Sequence, residues 1–271
     1  LFFIFKIIGY QKSSNLGNKI GILFGPLFRN KVTISKNLSL SGIKINENQK
    51  KKLTDNMWGN YGRIFAEYPF LKDFKNSKLE DYISIEGEEV LEDLKRNNKI
   101  SVFVSGHFSN FELMSMYLVK KGVNLAAIYR PLNNFFLNNT MESIRKNYIC
   151  ENQIKKGLSG TREVIKFIKK GNSIALMIDQ RVTEGIKCNF FNQEAFTTTI
   201  PGQLAIKYDL EIVPVYIERY NNFYFKMKIY PPLNFTKEKS IKSITETLNS
   251  VLEDLIRKNP DQWIWTHNRW K

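Results

Sequence analysis

The sequence is poor in the residues that bind metals or form disulfide bonds. It contains two cysteines, Cys150 and Cys188, and two histidines, His107 and His267. No two of these four residues have the spacing typical of zinc ligands, so we predict no metal site. Two isolated cysteines fit free thiols in a reducing compartment better than they fit a disulfide framework.

The chain also lacks an apolar segment long enough to cross a membrane. Residues 1–8 are apolar, but they are far fewer than the roughly 20 residues needed to span a bilayer. No small-residue cleavage site follows them, which argues against a cleavable signal peptide and favours the cytoplasmic side. Because the chain begins with Leu, two interpretations stay open: a fragment of a membrane anchor, or an amphipathic piece that lies on the membrane surface with residues 20–28.

Acidic residues are scarce beside basic ones. The chain has 41 Lys and Arg against 26 Asp and Glu, a formal net charge of +15, and residues 1–52 hold ten basic residues and one acidic residue. Such an excess points to a phosphate-bearing partner, either nucleic acid or an anionic membrane. We find no nucleic-acid-binding module, and the basic residues lie beside apolar segments, so an anionic membrane surface is the predicted partner and nucleic acid the remote alternative.

Length and periodicity indicate the fold class. At 271 residues, with 42% hydrophobic and 13% aromatic residues, the chain can bury a sizeable core. Strands alternate with helices, which predicts an α/β fold: a single domain with a mainly parallel mixed sheet flanked by helices on both faces. We predict a basic, apolar, membrane-associating helical segment at 1–45 and the domain itself at 46–271. The predicted helices span 46–70, 88–96, 109–121, 135–148, 161–170, 203–208 and 241–256, and the predicted strands span 82–85, 100–104, 124–129, 173–178, 212–218 and 224–229.

One segment joins a buried strand to a helix and carries a histidine in the turn between them. Its apolar run, Ile100 to Val104, is rich in β-branched and aromatic residues and is too short for a helix. Ser109 and Glu112 match the S-x-x-E capping box, so a helix is predicted to begin near Ser109, with His107 in the preceding turn. From that turn His107 can meet Glu112, whereas residues five apart on one helix face different directions.

A histidine beside a carboxylate is typical of a general base. A neutral imidazole that is oriented through one nitrogen keeps the other free to take a proton from a hydroxyl group. His107 and Glu112 are therefore the predicted catalytic residues. The alternative stays open that Glu112 is only a cap partner and His107 a hydrogen-bonded turn residue.

Three of the predicted strands end in polar residues. His107, Arg130 and Asp179 each follow a strand, and Gln180 comes directly after Asp179. The carboxyl ends of parallel strands share one edge of the sheet, where ligands of open α/β sheets bind. These side chains are therefore predicted to face one cleft, although each of them alone fits a surface turn.

The C-terminal part of the chain holds two further features. Residues 190–202 lack hydrophobic periodicity, and the run Thr197 to Thr199 suits a helix entry whose free backbone donors favour an anion or an oxyanion. The tail at 260–271 holds three of the four tryptophans, so we expect it to pack on the body or at a membrane interface. His267 in this tail is predicted to be structural.

Several stretches together resemble the lipid A biosynthesis lauroyl/myristoyl acyltransferase family, over nearly the whole chain and in the same order. The His-x4-Glu element is shared with glycerolipid acyltransferases, and the Trp-x-Trp-x-His-x-Arg-Trp-Lys tail makes the resemblance more specific. Two positions depart from the pattern: Asn192 stands where relatives commonly have Gly, and Asn268 where a second basic residue is frequent. The stretches are Ser105–Glu112, Tyr129–Pro131, Ile178–Gln180, Phe190 and Phe191 with Ala195 and Thr197, and Pro260–Lys271.

The resemblance implies a glycerolipid acyltransferase-like fold and an O-acyltransferase without a cofactor, acting at the cytoplasmic face of the inner membrane. The implied reaction moves a fatty acyl chain from an acyl carrier protein thioester, or from acyl coenzyme A, to a hydroxyl of a phosphorylated, Kdo-bearing lipid A precursor. His107 is then the general base, Glu112 orients it and Arg130 holds lipid phosphate or the oxyanion. Asp179, Gln180 and Asn110 are the other expected substrate-binding residues.

Two other classes of enzyme are relevant to this sequence. A serine hydrolase requires a Gly-x-Ser-x-Gly motif, which is absent. An acyltransferase with the same fold that acts on a glycerophospholipid or another glycolipid stays open as the alternative, because the sequence does not identify the acceptor.

Overall fold

Helices and strands alternate through the described part of the chain, which comprises residues 2–29, 31–131, 135–235 and 240–271 of the computed structural model. The helices are α1 (Phe2–Ile8), α2 (Tyr10–Phe24), α3 (Lys31–Leu40), α4 (Glu47–Glu67), α5 (Leu71–Lys75), α6 (Glu88–Arg96), α7 (Glu112–Lys120), α8 (Phe135–Ile144), α9 (Leu158–Lys169), α10 (Ile200–Tyr208) and α11 (Ile241–Lys258). The strands are β1 (Ile83–Glu86), β2 (Ser101–Ser105), β3 (Leu125–Tyr129), β4 (Asn152–Lys155), β5 (Ser173–Met177), β6 (Ile186–Phe190), β7 (Gln193–Thr197), β8 (Glu211–Tyr220) and β9 (Tyr224–Ile229).

Seven strands form one sheet in the order β1-β9-β8-β2-β5-β3-β4. Strand β2 is parallel to both β5 and β8, and β3 is parallel to both β5 and β4. Strand β9 is antiparallel to β8, and β1 is parallel to β9. The prediction of one α/β domain with a mainly parallel mixed sheet and flanking helices is therefore confirmed. Strands β8, β2, β5, β3 and β4 bring their carboxyl ends to the same edge.

The middle of the sheet is buried on both faces. All five residues of β2 are buried, and Val102 and Phe103, which point to opposite faces, are 0% and 2% exposed. Four of the five residues of β5 are also buried. A strand covered on both sides reads as a continuous apolar run, which is why the sequence located both strands correctly.

Several helices begin or end at capping residues that the sequence indicates. The Asn46 side chain accepts a hydrogen bond from the Gln49 N–H, and the Gln49 side-chain oxygen accepts one from the Asn46 N–H, so α4 begins where the sequence predicted. Gly122 and Gly171 follow α7 and α9 with φ angles of 88° and 78°. Both values lie in the left-handed region that glycine adopts without strain and that commonly ends a helix.

One prediction about local structure is wrong, and two elements were not predicted. Helix α7 begins at Glu112 rather than near Ser109, because Ser109 adopts a left-handed φ of 44° and its N–H donates to the Gln262 carbonyl. Residues 186–197 form the hairpin β6–β7, whose two turn residues, Phe191 and Asn192, have φ angles of 54° and 57°. Paired positive φ angles are typical of a tight hairpin turn, and Asn tolerates this conformation. The short strand β4 was not predicted.

Helices α2 and α4 approach each other so closely that they require glycine. A Cβ atom added at Gly62 would lie 1.9 Å from the Gly17 carbonyl oxygen, and one added at Gly17 would lie 2.4 Å from the Gly62 oxygen. Glycine therefore permits backbone-to-backbone contact between the N-terminal region and the rest of the domain. Phe5, Tyr10 and Ile34 of the N-terminal region are buried in the main core. The predicted division of the chain at residue 45 stays a prediction.

The outer surface of the N-terminal helices is unusually apolar. Phe3, Leu27 and Phe28 are 77%, 79% and 78% exposed, and Ile4, Ile7, Leu23, Phe24 and Val32 are also exposed. Among the described residues, no helix combines the length and the hydropathy that a membrane crossing requires. Most of the exposed large apolar side chains of the described chain thus belong to its first 32 residues.

We expect Gly62→Ala to lower the thermal unfolding temperature, because the new methyl group would force α2 and α4 apart. Overpacking of this kind typically costs about 1–3 kcal/mol. Gly202→Ala is the matched control: Gly202 is also a helical glycine and is itself buried, but its added Cβ would meet neighbours no closer than 3.5 Å. Equal melting temperatures for the two variants in thermal denaturation would contradict the close packing of α2 on α4.

Candidate active site

His107 lies in the turn that follows β2, beside the residue that follows β5. Parallel pairing sets Ser105 opposite Met177, and the Ile178 N–H donates to the Ser105 carbonyl at 2.9 Å. His107 lies two residues after Ser105, and Asp179 directly follows Ile178, so the two residues leave the sheet side by side. The His107 side chain is 21% exposed, whereas that of Asp179 is completely buried.

The Asp179 carboxylate holds His107 at two points. Its Oδ1 atom lies 2.8 Å from His107 Nδ1, and its Oδ2 atom accepts the His107 backbone N–H at 2.9 Å. The indole N–H of Trp263 donates to the same Oδ2 at 2.9 Å. Because an ionised carboxylate only accepts hydrogen bonds, this geometry assigns the imidazole proton to Nδ1 and leaves Nε2 free to accept a proton.

The pKa values of the pair move in opposite directions. Burial acts to raise the pKa of Asp179, but the charge and hydrogen bonds of His107 outweigh it and lower that pKa to about 2. Burial acts to lower the pKa of His107, and the Asp179 carboxylate outweighs it, so the His107 pKa lies above its ordinary value of 6.5. The arrangement is therefore an oriented imidazole whose basicity is increased by a permanently charged neighbour.

Glu112, the predicted orienting partner of His107, is engaged elsewhere. Its Oε1 atom accepts hydrogen bonds from Arg145 Nε at 2.9 Å, from Arg145 Nη2 at 2.5 Å and from the Tyr68 hydroxyl. The orienting contact with the imidazole comes from Asp179, so this part of the prediction is wrong. Arg145 and Tyr68 lie 33 and 44 residues away in the chain, and no local pattern indicates that they claim the carboxylate.

Glu112 still influences His107 through its charge. Burial has the largest effect on the pKa of His107 and lowers it, and Asp179 has the next largest effect and raises it. The Glu112 carboxylate also raises this pKa, by less than Asp179 does, and the charge of Arg145 opposes it. Because the Arg145 guanidinium is bound directly to Glu112, much of that charge is compensated. Glu112 is thus a nearby charge and the first residue of α7.

The other predicted site residues differ in accessibility. Asn110 is 1% exposed, and its amide donates to Glu67 Oε2 at 2.9 Å. Gln180 is partly buried beside Asp179, and Arg130 is exposed at the end of β3. Asp179 is bound to His107 by two hydrogen bonds. The substrate contacts predicted for Arg130, Gln180, Asn110 and Asp179 stay predictions.

The sequence did not single out a second cation at this edge. Lys156 follows β4, and its N–H donates to the Tyr129 carbonyl at 2.9 Å, which places it beside the strand that ends at Arg130. Partial desolvation lowers the pKa of the otherwise exposed Lys156 side chain; the charge of Glu184 opposes this change and the charge of Arg130 adds to it. Recognising Lys156 from the sequence would have required a prediction of β4.

The C-terminal tail packs on the body, as predicted, and completes the site. Trp263 and Trp265 are 1% and 0% exposed, and Trp270 stacks on Phe190 with ring centroids 5.4 Å apart. Burial lowers the pKa of His267 to about 4, so its imidazole is neutral at pH 7. The tail therefore supplies the Trp263 donor that helps to hold Asp179.

Comparisons with known proteins identify relatives of this chain. A family model described as bacterial lipid A biosynthesis acyltransferase matches residues 1–271. The lipid A biosynthesis acyltransferase 2 of Shigella flexneri is 23% identical over 256 residues, which cover 91% of this chain and 80% of that protein. The lipid A biosynthesis palmitoleoyltransferase of Escherichia coli K12 is 24% identical over 272 residues, which cover 94% of this chain and 84% of that protein.

Among solved structures, the 1-acyl-sn-glycerophosphate acyltransferase of Thermotoga maritima aligns with a TM-score of 0.44 and 16% identity, over 94% of this chain and 99% of that chain. The family assignment rests on the sequence matches alone. Because the family model covers all 271 residues, the chain belongs to the bacterial lipid A biosynthesis acyltransferases and is an O-acyltransferase of lipid A biosynthesis.

Proposed function

We propose that this protein transfers a fatty acyl chain from an acyl carrier protein or coenzyme A thioester to a hydroxyl of a phosphorylated, Kdo-bearing lipid A precursor. The observation that carries the proposal is the His107–Asp179 pair at the carboxyl edge of the sheet, with the imidazole held through Nδ1 and Nε2 left free. The membership in the family supplies the reaction class.

His107 acts as the general base. Its Nε2 atom takes the proton of the acceptor hydroxyl while the hydroxyl oxygen attacks the thioester carbonyl carbon. The new C–O bond forms, the C–S bond breaks, and the imidazolium returns the proton to the departing thiolate. The products are an ester and a free thiol, and no acyl-enzyme intermediate is needed. A positioned base of this kind is typically worth about 10² to 10⁴ in rate.

Asp179 makes this base effective. Its charge stabilises the imidazolium that forms as the proton is taken, and its two contacts with His107 fix the direction of the ring. The carboxylate stays ionised throughout because its own pKa is about 2. The proton therefore moves between substrate and His107 and does not pass to Asp179.

The acceptor phosphates are bound by cations at the same edge. Arg130 is exposed after β3, and Lys156 is exposed after the adjacent strand β4. Two neighbouring cations beyond the carboxyl ends of the strands suit a phosphorylated sugar, and Arg130 offers the fork of donors that fits phosphate oxygens. Gln180, which is partly buried beside Asp179, is retained as a substrate-binding residue of this proposal.

The enzyme meets its lipid substrate at the cytoplasmic face of the inner membrane. The exposed apolar side chains of the first 32 residues suit insertion into the boundary between headgroups and acyl chains. The ten basic residues among residues 1–52 suit the anionic headgroups of such a surface. We therefore propose peripheral binding through α1, α2 and the start of α3.

The function is tested by supplying donors and acceptors in parallel. Purified protein and its His107→Ala variant are incubated with acyl carrier protein thioester or acyl coenzyme A, and with Kdo-bearing lipid A precursor or lysophosphatidic acid. Lipid mass spectrometry should find one added acyl chain on the lipid A precursor, absent with His107→Ala. Acylation of lysophosphatidic acid alone would move the acceptor to a glycerophospholipid, and normal turnover by folded His107→Ala would overturn the mechanism.

We expect Asp179→Asn to lower the pKa that governs the rate. Because neutral imidazole is the base, the wild-type rate should rise with pH through a value above 6.5. Removing the Asp179 charge removes the main stabilisation of the imidazolium, so the apparent pKa falls and the plateau rate drops about 100-fold or more. The measurement is a pH profile of kcat/KM.

Glu112→Gln is the comparison for that profile. The charge of Glu112 acts on His107 less than that of Asp179, and the charge of Arg145 partly cancels it. We therefore expect a smaller fall of the apparent pKa in Glu112→Gln. The variant should instead unfold at a lower temperature, since it leaves the buried Arg145 guanidinium without its counter-charge. A larger pKa change in Glu112→Gln than in Asp179→Asn would show that Glu112 is the controlling carboxylate.

The membrane proposal predicts that replacing Leu27 and Phe28 together by Ser weakens binding to vesicles. Losing two exposed apolar side chains from the inserted surface should reduce partitioning by about tenfold or more. Co-sedimentation with vesicles of phosphatidylglycerol and phosphatidylethanolamine measures the effect. Ile206→Ser is the control, because Ile206 is 43% exposed but lies on α10. Equal losses in both proteins would count against the N-terminal surface.

A further inference from the structure

A second buried carboxylate, Glu67, connects the turn after His107 to two other parts of the fold. Glu67 is the last residue of α4 and is 0% exposed. Its two oxygens accept bidentate hydrogen bonds from Arg219 on β8, at 2.6 Å and 3.0 Å. They also accept the Asn110 amide at 2.9 Å and the hydroxyl of Ser14 on α2 at 2.7 Å.

Arg219 holds the same turn by a second route. Its backbone N–H donates to the Gln262 side chain at 2.7 Å, and its carbonyl accepts from that side chain at 2.9 Å. The Gln262 carbonyl in turn accepts the Ser109 N–H at 3.0 Å. Two consecutive residues of the turn, Ser109 and Asn110, are thus each connected to Arg219 through one intermediate residue.

The turn depends on such external contacts. Ser109 has a φ of 44°, a conformation that a non-glycine residue adopts only when its surroundings impose it. Within the described residues, the Ser109 hydroxyl and the side-chain amide oxygen of Asn110 are buried and have no hydrogen-bond partner. A segment with an unfavourable backbone conformation and unsatisfied polar atoms does not fix its own geometry.

We propose that Glu67 is a positioning residue for His107, acting through Asn110 and supported by Arg219. The inference rests on the proposed role of His107 as the base. Glu67 does not contact the reacting atoms. By holding residues 109–110 it fixes the position of the turn that carries His107, and so the distance between Nε2 and the acceptor hydroxyl, while Asp179 fixes the direction of the ring.

This role differs from that of an ion pair that only joins α4 to β8. A purely structural pair would alter the unfolding temperature and leave the turnover of the folded enzyme unchanged. A positioning contact lowers kcat in folded protein and leaves KM nearly unchanged, because substrate binding is intact while the base is misdirected. Asn110→Ala separates the two cases, since it removes the contact with the turn and leaves the Glu67–Arg219 pair in place.

The experiment is a kinetic double-mutant cycle with acyl donor and lipid A precursor, well below the unfolding temperature. Asn110→Ala should lower kcat by about 10- to 100-fold with KM within about twofold of wild type. Glu67→Gln should lower kcat similarly, and the double variant should lose little more, because the two residues act as a unit. The pH profile should keep its apparent pKa, since the charges that act on His107 belong to Asp179, Glu112 and Arg145.

Ser13→Ala provides the matched control for buried hydrogen bonds. Ser13 lies on α2 beside Ser14, is equally buried, and its hydroxyl donates to the Phe5 carbonyl at 2.6 Å, outside the Glu67 cluster. It should lower the unfolding temperature and leave kcat unchanged.

Full kcat in folded Asn110→Ala would overturn the inference, whether or not Glu67→Gln folds. Losses that multiply in the double variant would also overturn it, because Glu67 and Asn110 would then act separately. A rise of KM without a fall of kcat would make Asn110 a substrate-binding residue instead. If His107→Ala is inactive in these experiments, the proposed function stands and only the inference about Glu67 is overturned. If His107→Ala is active, both the proposed role of His107 and the inference are overturned.

Discussion

The site depends on keeping the Asp179 carboxylate charged in the interior. A buried carboxylate without partners would take up a proton, because burial penalises the charged form. Here the His107 backbone, the His107 ring and the Trp263 indole all donate to it. These donors come from the turn after β2 and from the C-terminal tail, so one buried charge joins the central strands to the end of the chain and sets the basicity of His107.

The sequence predicted the parts of the site that follow from strand order. Buried strands appear as apolar runs, and their polar tips meet at one edge because the strands are parallel, which placed His107 and Asp179 together. It predicted Glu112 rather than Asp179 as the carboxylate that orients the imidazole. Five residues of separation bring Glu112 near His107, but the choice between Glu112 and Asp179 is made by Arg145, Tyr68 and Trp263, and no local pattern indicates these partners.

The sequence predicted a helical segment at the N-terminus, but it did not predict which face of these helices is buried, for a different physical reason. An amphipathic helix is recognised by an apolar face turned to the core, but the buried face of α2 consists of Tyr10, Ser13, Ser14, Gly17 and Gly21. Its large apolar residues point outward instead. Small residues allow α4 to approach, and the outward apolar side chains suit a lipid surface, so the pattern is the inverse of the one that marks helices of water-soluble domains.

Three buried carboxylates surround the turn from Gly106 to Glu112, and each has its own hydrogen-bonded partner: Asp179 has the His107 imidazole, Glu112 has the Arg145 guanidinium, and Glu67 has the Arg219 guanidinium. Breaking a buried pair leaves an uncompensated charge, which typically costs about 3–5 kcal/mol, so small displacements of the turn are opposed from three directions. Apolar contacts alone depend weakly on orientation, whereas these hydrogen bonds fix angles as well as distances. A base held in this way is positioned before the substrate arrives, and little reorganisation accompanies proton transfer.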